Sequence, residues 1–192
     1  MARHAETEWT REGRYQGHCE IGLTAKGIKQ AERLRERLRG EKIAAIYTSD
    51  LRRAMETAQI IASGHHLDVI PCSELRELDF GNLEGLTFVE AQRNYPWIEQ
   101  RWSSPDPEQG ESLSQLVSRV ARLVTRLRGL EAMGSILTVS HGGPLRVLLC
   151  LLLGIDPERW WQFELGCASL SVVETYPQGV VLSSLNDACH LK

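Results

Sequence analysis

Apolar residues recur at the three-and-four spacing of an α-helix along several stretches of this chain, and short apolar runs bounded by turn residues separate them. Thr24 is of a type that caps helix N-termini, and behind it Ile28, Ala31, Leu34, Arg35 and Leu38 trace one partly apolar stripe, which predicts a helix to about residue 38. Residues 43–47 read as a buried strand. Ser49 or Asp50 then caps a second helix carrying Leu51, Ala54, Met55, Ala58 and Ile61, which Gly64 stops, and residues 67–70 read as the next strand. Thr87 and Glu90 match a capping box that opens a short helix ending before Pro96, and residues 103–107 form a Ser/Pro loop. A longer helix spans about 112–130, with Leu113, Leu116, Val117, Val120, Val124 and Leu127 facing inward. Residues 135–139 form a strand, and a mostly apolar helix opens at Gly142-Gly143-Pro144 and ends at Gly154. Two strands over 168–175 and 180–185, joined at Pro177-Gln178-Gly179, finish the chain, while residues 1–23 lack a period and read as loop. Strands alternating with helices predict a three-layer α/β/α sandwich on a mostly parallel, mixed sheet.

Composition narrows this little further. At 192 residues the chain fits one domain over 1–192, with 42% hydrophobic and 24% charged residues. A net charge of −3 gives no electrostatic reason to expect nucleic acid or a membrane as partner. Five widely spaced cysteines without a Cys-x-x-Cys pair argue against a disulfide framework or zinc knuckle and fit the cytoplasm. The longest apolar run, 145–153, is interrupted by Arg146 and too short to span a bilayer, and no signal peptide is apparent. No His-x-His, His-Glu-x-x-His or Cys-His spacing suggests a metal site, so neither metal nor cofactor is expected.

The candidate chemistry lies in scattered polar pieces. Arg3-His4 stands near the start, Ser49 and Arg53 follow the first long strand, Glu77 sits in Leu75-Arg76-Glu77-Leu78, and Ser140-His141-Gly142 follows a later strand. Ligands of open α/β sheets gather at the carboxyl ends of the strands, where helix N-termini point N–H groups at anions. Two histidines, two arginines and one acid there are sufficient for phosphoryl transfer. Taken singly, His4 is a solvated terminal histidine and His141 a strand-end cap; it is their company that gives them meaning. Trp160, Trp161 and Phe163 are expected to pack at a helix end, and His18, His65, His66 and His190 to lie on surface or loops.

Taken together and in order, the motifs resemble the histidine phosphatase superfamily, in its branch of cofactor-dependent phosphoglycerate mutases and related phosphatases. They are Arg3-His4-x-Glu6-Thr7-x-Trp9, Arg14-Tyr15-Gln16-Gly17-His18, Leu23-Thr24-x-x-Gly27, Thr48-Ser49-Asp50-Leu51-x-Arg53-Ala54, Glu77, Gly110-Glu111-Ser112 and Ser140-His141-Gly142. The final Asn186-x-x-Cys189-His190-Leu191 is similar to metal-independent phosphoserine phosphatases of that branch.

The resemblance implies a phosphoglycerate mutase-like fold and a catalytic set of His4, Glu77, His141, Arg3 and Arg53. His4 is the implied nucleophile, forming a phosphohistidine, with its other ring N–H held by a backbone carbonyl. Arg3, Arg53 and His141 line the phosphate pocket, Glu77 is proton donor and then base, and Thr10, Gln16, Gly17 and Gly142 join the phosphate-binding set, with Tyr15 and Glu6 shaping the pocket. Three positions depart from the pattern. Ala5 replaces the usual Gly, Thr10 replaces an Asn, and only Met1 and Ala2 stand where an apolar strand precedes the Arg-His pair, so the central strand is expected to be missing or very short. The implied partner is a small phosphorylated metabolite, and a homodimer is compatible with the branch.

Phosphomonoester hydrolysis is the expected activity, with phosphoserine, α-ribazole phosphate and broader sugar or glyceryl phosphates as open substrates. Residues 78–110 read as the cap or insert. About 32 residues separate Glu77 from Gly110, with Arg93 and Arg101 the basic ones, where the mutases insert a longer basic lid. A mutase must shield its intermediate from water, so the short segment favours hydrolysis. A cofactor-dependent phosphoglycerate mutase, and a catalytically weak phosphate-binding module, are the alternatives.

Overall fold

The computed structural model describes residues 1–101, 106–130 and 134–192. Six strands form one mixed sheet: β1 (Ala2–Arg3), β2 (Ile43–Thr48), β3 (Val69–Pro71), β4 (Ser135–Ser140), β5 (Leu170–Tyr176) and β6 (Gly179–Asp187), in the spatial order β3-β2-β4-β1-β5-β6. The first four run parallel, and β5 and β6 are antiparallel additions at one side. The helices are α1 (Glu8–Glu12), α2 (Ala25–Leu38), α3 (Arg52–Ala62), α4 (Phe88–Asn94), α5 (Ile98–Arg101), α6 (Leu113–Arg128) and α7 (Gly142–Leu153).

Strand side chains alternate between the two faces of the sheet. Ile46, Leu137 and Val139 join Ala2 and Leu170 in a core with Ala31, Leu34 and Leu38 of α2 and Ala58 and Ile61 of α3. Met1 and Val173 lie against the other core, built from Leu116 and Val120 of α6, Leu145, Val147, Leu148 and Leu149 of α7, and Trp160. These two cores on either side of the sheet make the three layers that the pattern predicts.

The differences from the pattern have local causes. Ile28 is 44% exposed because Gly27 occupies the buried stripe position; a Cβ on Gly27 would come within 2.1 Å of the Glu6 carbonyl oxygen. Leu123 joins the buried face of α6, while Val117 and Leu127 are only partly buried. The loop expected over 1–23 contains β1 and α1. Two residues are too few to show a period of two, and α1 is little more than a turn, capped by Thr7 and closed by the left-handed Gly13. α3 is not capped by Ser49 or Asp50: its N-cap is Leu51, without a side-chain bond, because both polar residues are engaged in the site described below. β3 begins two residues later than expected, and α5 has too few residues for periodicity to reveal. Of the Ser/Pro loop at 103–107, residues 103–105 lie outside the described residues, as do 102 and 131–133.

Short as it is, β1 is central. Ala2 pairs with Val139 on one side and Leu170 on the other. The His4 N–H donates to the Ser140 carbonyl (2.8 Å) and Ala168 N–H donates to the His4 carbonyl (3.1 Å). His4 is thus gripped from both sides where the strand ends. Among the described residues, no helix is long and apolar enough to cross a membrane.

Candidate active site

Register brings the two distant motifs together. Arg3 is paired with Ser140, so the next residues, His4 and His141, emerge side by side at the carboxyl ends of β1 and β4, their ring centroids 5.1 Å apart. β2 ends alongside at Thr48, and Ser49 N–H donates to the Val139 carbonyl (3.0 Å), which places Ser49 and α3 against the same spot. His4, Ser49, Arg53 and His141 are all buried.

Hydrogen bonds fix both histidine tautomers. His4 Nδ1 lies 2.8 Å from its acceptor, the Ala5 carbonyl, so the proton is on Nδ1 and the lone pair on Nε2. Arg53 Nε donates to His141 Nδ1 (3.1 Å), which puts the His141 proton on Nε2, where it donates to Ser49 Oγ (2.8 Å). Burial holds the pKa of His4 well below the ordinary range, reinforced by the positive charges of Arg53 and Arg3 and opposed by the bond to Ala5. Burial does the same to His141, again with Arg53 acting on it. Both imidazoles are neutral at neutral pH.

Arg53 enters from the first turn of α3. Its Nη2 donates to the Gly17 carbonyl (2.7 Å) and its Nη1 to the Cys19 carbonyl (2.9 Å), which binds the 16–19 loop to the site. Arg52, its neighbour, points away and pairs with Glu56 on the surface. Arg3 donates through Nη1 to the Leu165 carbonyl (2.7 Å), and its buried Nε has no protein partner. Arg53 and Arg3 thus act on the His4 ring through their charge, and the His141 ring lies beside it.

Glu77 meets the N-terminus of α7. Its Oε1 accepts from Leu78 N–H (2.9 Å) and Gly143 N–H (3.0 Å). A Cβ on Gly143 would stand 2.4 Å from that oxygen, so glycine is what lets the carboxylate reach the helix end. The segment carrying Glu77 is clamped from behind. Arg119 pairs with Glu111 through two bonds (2.6 and 2.7 Å) and donates to the carbonyls of Glu74, Arg76 and Glu77. Asp50 holds Arg76 bidentately (2.7 and 2.6 Å), and Ser140 Oγ donates to the Leu75 carbonyl (2.6 Å).

The remaining sequence candidates divide. Gly17 lies in the site loop at φ +47°, and Gly142 lies beside Glu77. Gln16 is buried and accepts from Thr7 Oγ1 (2.8 Å). Thr10 is turned to a different use: its hydroxyl donates to the Thr7 carbonyl (2.8 Å) and accepts from Thr7 N–H, completing the α1 cap. Tyr15 packs on Phe80 in the small apolar cluster of the 80–98 segment, and Glu6 pairs with Lys26. His18 lies in a half-exposed turn, as expected of a loop histidine, and from there its Nε2 reaches the Glu77 carbonyl (3.0 Å). Asn186 accepts from Gly166 N–H (2.7 Å) and His190 meets the Ala168 carbonyl (3.0 Å), so the terminal motif supports the loop beyond Leu165 that Arg3 also holds.

Sequence reasoning passed over Thr57, Arg119 and the bond from His141 to Ser49. Thr57 Oγ1 accepts from Ala5 N–H (3.1 Å) and donates to the Arg53 carbonyl (2.8 Å), tying the carbonyl-bearing residue under His4 to the helix of Arg53. Its place on the buried face of α3, four residues after Arg53, was the available signal. Thr57→Val leaves the buried Ala5 N–H unpaired. A loss of about 1–3 kcal/mol of folding stability is expected, read from the urea midpoint; an unchanged midpoint would show that this N–H finds another partner.

The buried histidines also set a pH dependence. Their folded pKa values lie below the unfolded one, so the stability they permit is fully present above about pH 6.5 and is lost as pH falls from there towards the folded values. With two such groups the slope approaches about 2.7 kcal/mol per pH unit, two protons at 1.36 kcal/mol each. Urea titrations at pH 7.5, 6.5 and 5.5 should show a fall of under about 1 kcal/mol between the first two and a larger one, about 2 kcal/mol, at the third.

Comparisons with known proteins agree with this geometry. Residues 1–188 match the family model described as the histidine phosphatase superfamily, branch 1. The chain is 36% identical over 196 residues to phosphoserine phosphatase 1 of Hydrogenobacter thermophilus, covering 100% of this chain and 92% of that protein. It is 32% identical over 191 residues to the adenosylcobalamin/α-ribazole phosphatase of Escherichia coli, covering 97% and 94%. The crystal structure of the α-ribazole phosphatase of Shigella flexneri superposes with a TM-score of 0.90 at 32% identity, over 96% of this chain and 94% of that one.

Proposed function

Since the chain belongs to branch 1 of the histidine phosphatase superfamily and is a phosphatase of that type, we propose that it hydrolyses small phosphomonoesters through a phosphohistidine on His4, with Glu77 as the proton donor. The observation that carries this reading is the His4 tautomer: Nδ1–H is held by the Ala5 carbonyl, which leaves the lone pair on Nε2, in a ring that has His141 beside it and the charges of Arg53 and Arg3 acting on it.

In the first step Nε2 attacks phosphorus as the bond to the leaving oxygen breaks, and Glu77 gives its proton to that oxygen. In the second, the Glu77 carboxylate takes a proton from water while the water oxygen attacks phosphorus and the N–P bond breaks, returning neutral His4 and inorganic phosphate. Arg3 and Arg53 stabilise the equatorial oxygens, phosphate oxygens displacing the Gly17 and Cys19 carbonyls from Arg53. His141 is held by Ser49 and Arg53 beside them, and Gln16, Gly17 and Gly142 complete the pocket. Of the cap expected over 78–110, the described residues carry a core of Leu83, Ala91 and Ile98, and this part covers the leaving-group side. A cytoplasmic location goes with five unpaired cysteines, and a homodimer with the apolar Val181 and Leu185 exposed on the edge strand β6.

The test is phosphate release from phosphoserine, α-ribazole phosphate, 3-phosphoglycerate and p-nitrophenyl phosphate with and without EDTA. Turnover of at least one ester, unaffected by the chelator, is expected because side-chain cations supply the charge stabilisation. No release from any ester, or release that collapses in EDTA, would overturn the proposal; phosphoryl exchange that appears only with a 2,3-bisphosphoglycerate primer would make the chain a mutase.

A further inference from the structure

One cation near the site is not used by the chemistry above. Arg146 lies in α7, three residues after Gly143 and four after Gly142, so all three share one face of the helix. That face meets Glu77: Gly143 N–H binds Oε1, and Cβ positions built on Gly142 and Gly143 would lie 3.8 and 2.4 Å from its two carboxylate oxygens. Long helical side chains run back over the preceding turn, which for Arg146 is the turn of Gly142 and Gly143.

Among the described residues the Arg146 guanidinium makes no hydrogen bond and no ion pair. Its Nε is buried without a partner, and the group stacks over the Trp160 ring at 5.7 Å. Burial lowers its pKa, and Arg3, Glu77 and Glu164 are the charges that act on it, which sets it within electrostatic reach of both sides of the site. A half-buried guanidinium with unmet donors is costly unless something answers it. The aromatic ring answers one face; the edge donors call for a planar anion.

The phosphate is accounted for by Arg3, Arg53 and the histidines. Glu77 marks where the leaving oxygen sits, and Arg146 shares with Gly142 and Gly143 the face of α7 that meets Glu77, whose charge acts on it. We infer that Arg146 receives a carboxylate carried by the leaving group, so that the substrate is the phosphoric ester of a hydroxy acid or hydroxy amino acid and not of a neutral alcohol. The inference rests on the roles proposed for His4 and Glu77.

Phosphoserine and phosphoethanolamine differ only by that carboxylate, and the ratio of their kcat/KM values isolates its recognition. The unaltered enzyme is expected to favour phosphoserine by about 10- to 100-fold, the range of a charge-assisted pair in a partly buried site. Arg146→Gln should bring the ratio close to one, chiefly by raising KM for phosphoserine. Arg146→Lys, which keeps the charge but not the fork, should retain part of it. A ratio near one in the unaltered enzyme, a ratio that Arg146→Gln leaves unchanged, or a parallel loss of both esters in both variants would overturn the inference. Absence of turnover on every ester would instead strike the phosphohistidine reading itself.

Discussion

His4→Ala is expected to lower turnover of every phosphate ester by at least about 10⁴-fold, because removing a covalent nucleophile leaves only the pocket's binding and charge stabilisation. The geometry makes the expectation specific. His4 Nδ1–H is fixed by the Ala5 carbonyl, Ala5 is fixed by Thr57, and the backbone of His4 is held by Ser140 and Ala168. Alanine preserves every one of these backbone bonds and removes only the ring, so the variant should fold and still bind phosphate through Arg3 and Arg53. The check is steady-state phosphate release beside a vanadate- or phosphate-binding titration. Loss of turnover with retained binding is the predicted pair; residual turnover within tenfold of the unaltered enzyme would remove His4 from the chemistry.

Glu77→Gln should have the next largest effect, and its size should depend on the leaving group. Glutamine fits the same space and keeps an acceptor oxygen for the N–H groups of Leu78 and Gly143, but its amide cannot supply the proton. Alkyl phosphates need that proton, so a loss of about 10²–10⁴-fold is expected for phosphoserine. p-Nitrophenolate leaves without help, so the first step on p-nitrophenyl phosphate should survive while the second, which needs a base for water, slows. Stopped-flow absorbance should therefore show a burst of nitrophenolate followed by a slow steady rate. An equal loss in both first steps, without a burst, would mean that Glu77 shapes the site and does not transfer the proton.

Much of this arrangement was legible in the sequence because the fold rule and the motifs converge. Strand-then-helix alternation places residues that follow β2 and β4 at one edge of the sheet, and His141, Ser49 and Arg53 are indeed found there. Register then does what spacing cannot: the pairing of Arg3 with Ser140 makes neighbours of His4 and His141. The missing pieces were hidden for physical reasons. β1 is two residues long, held by β4 and β5 and not by its own propensity, so no local pattern announces it. Thr10 looked like a phosphate donor, yet a hydroxyl three residues beyond Thr7 at a helix start is drawn into the cap. Arg119 reads as one more charge on an amphipathic helix; only the tertiary structure reveals the loop carbonyls that it collects behind Glu77. The glycine at 143 is similar, since nothing nearby in the chain foretells a carboxylate oxygen where its Cβ would stand.

The most direct test of the account is to trap the covalent intermediate. Glu77→Gln enzyme mixed with p-nitrophenyl phosphate, quenched in alkali and digested, should yield one peptide bearing an acid-labile phosphoryl group on the imidazole of His4, and the His4→Ala/Glu77→Gln double variant should yield none. A phosphoryl group on any other residue, or a burst of nitrophenolate with no phosphorylated peptide, would contradict the phosphohistidine mechanism.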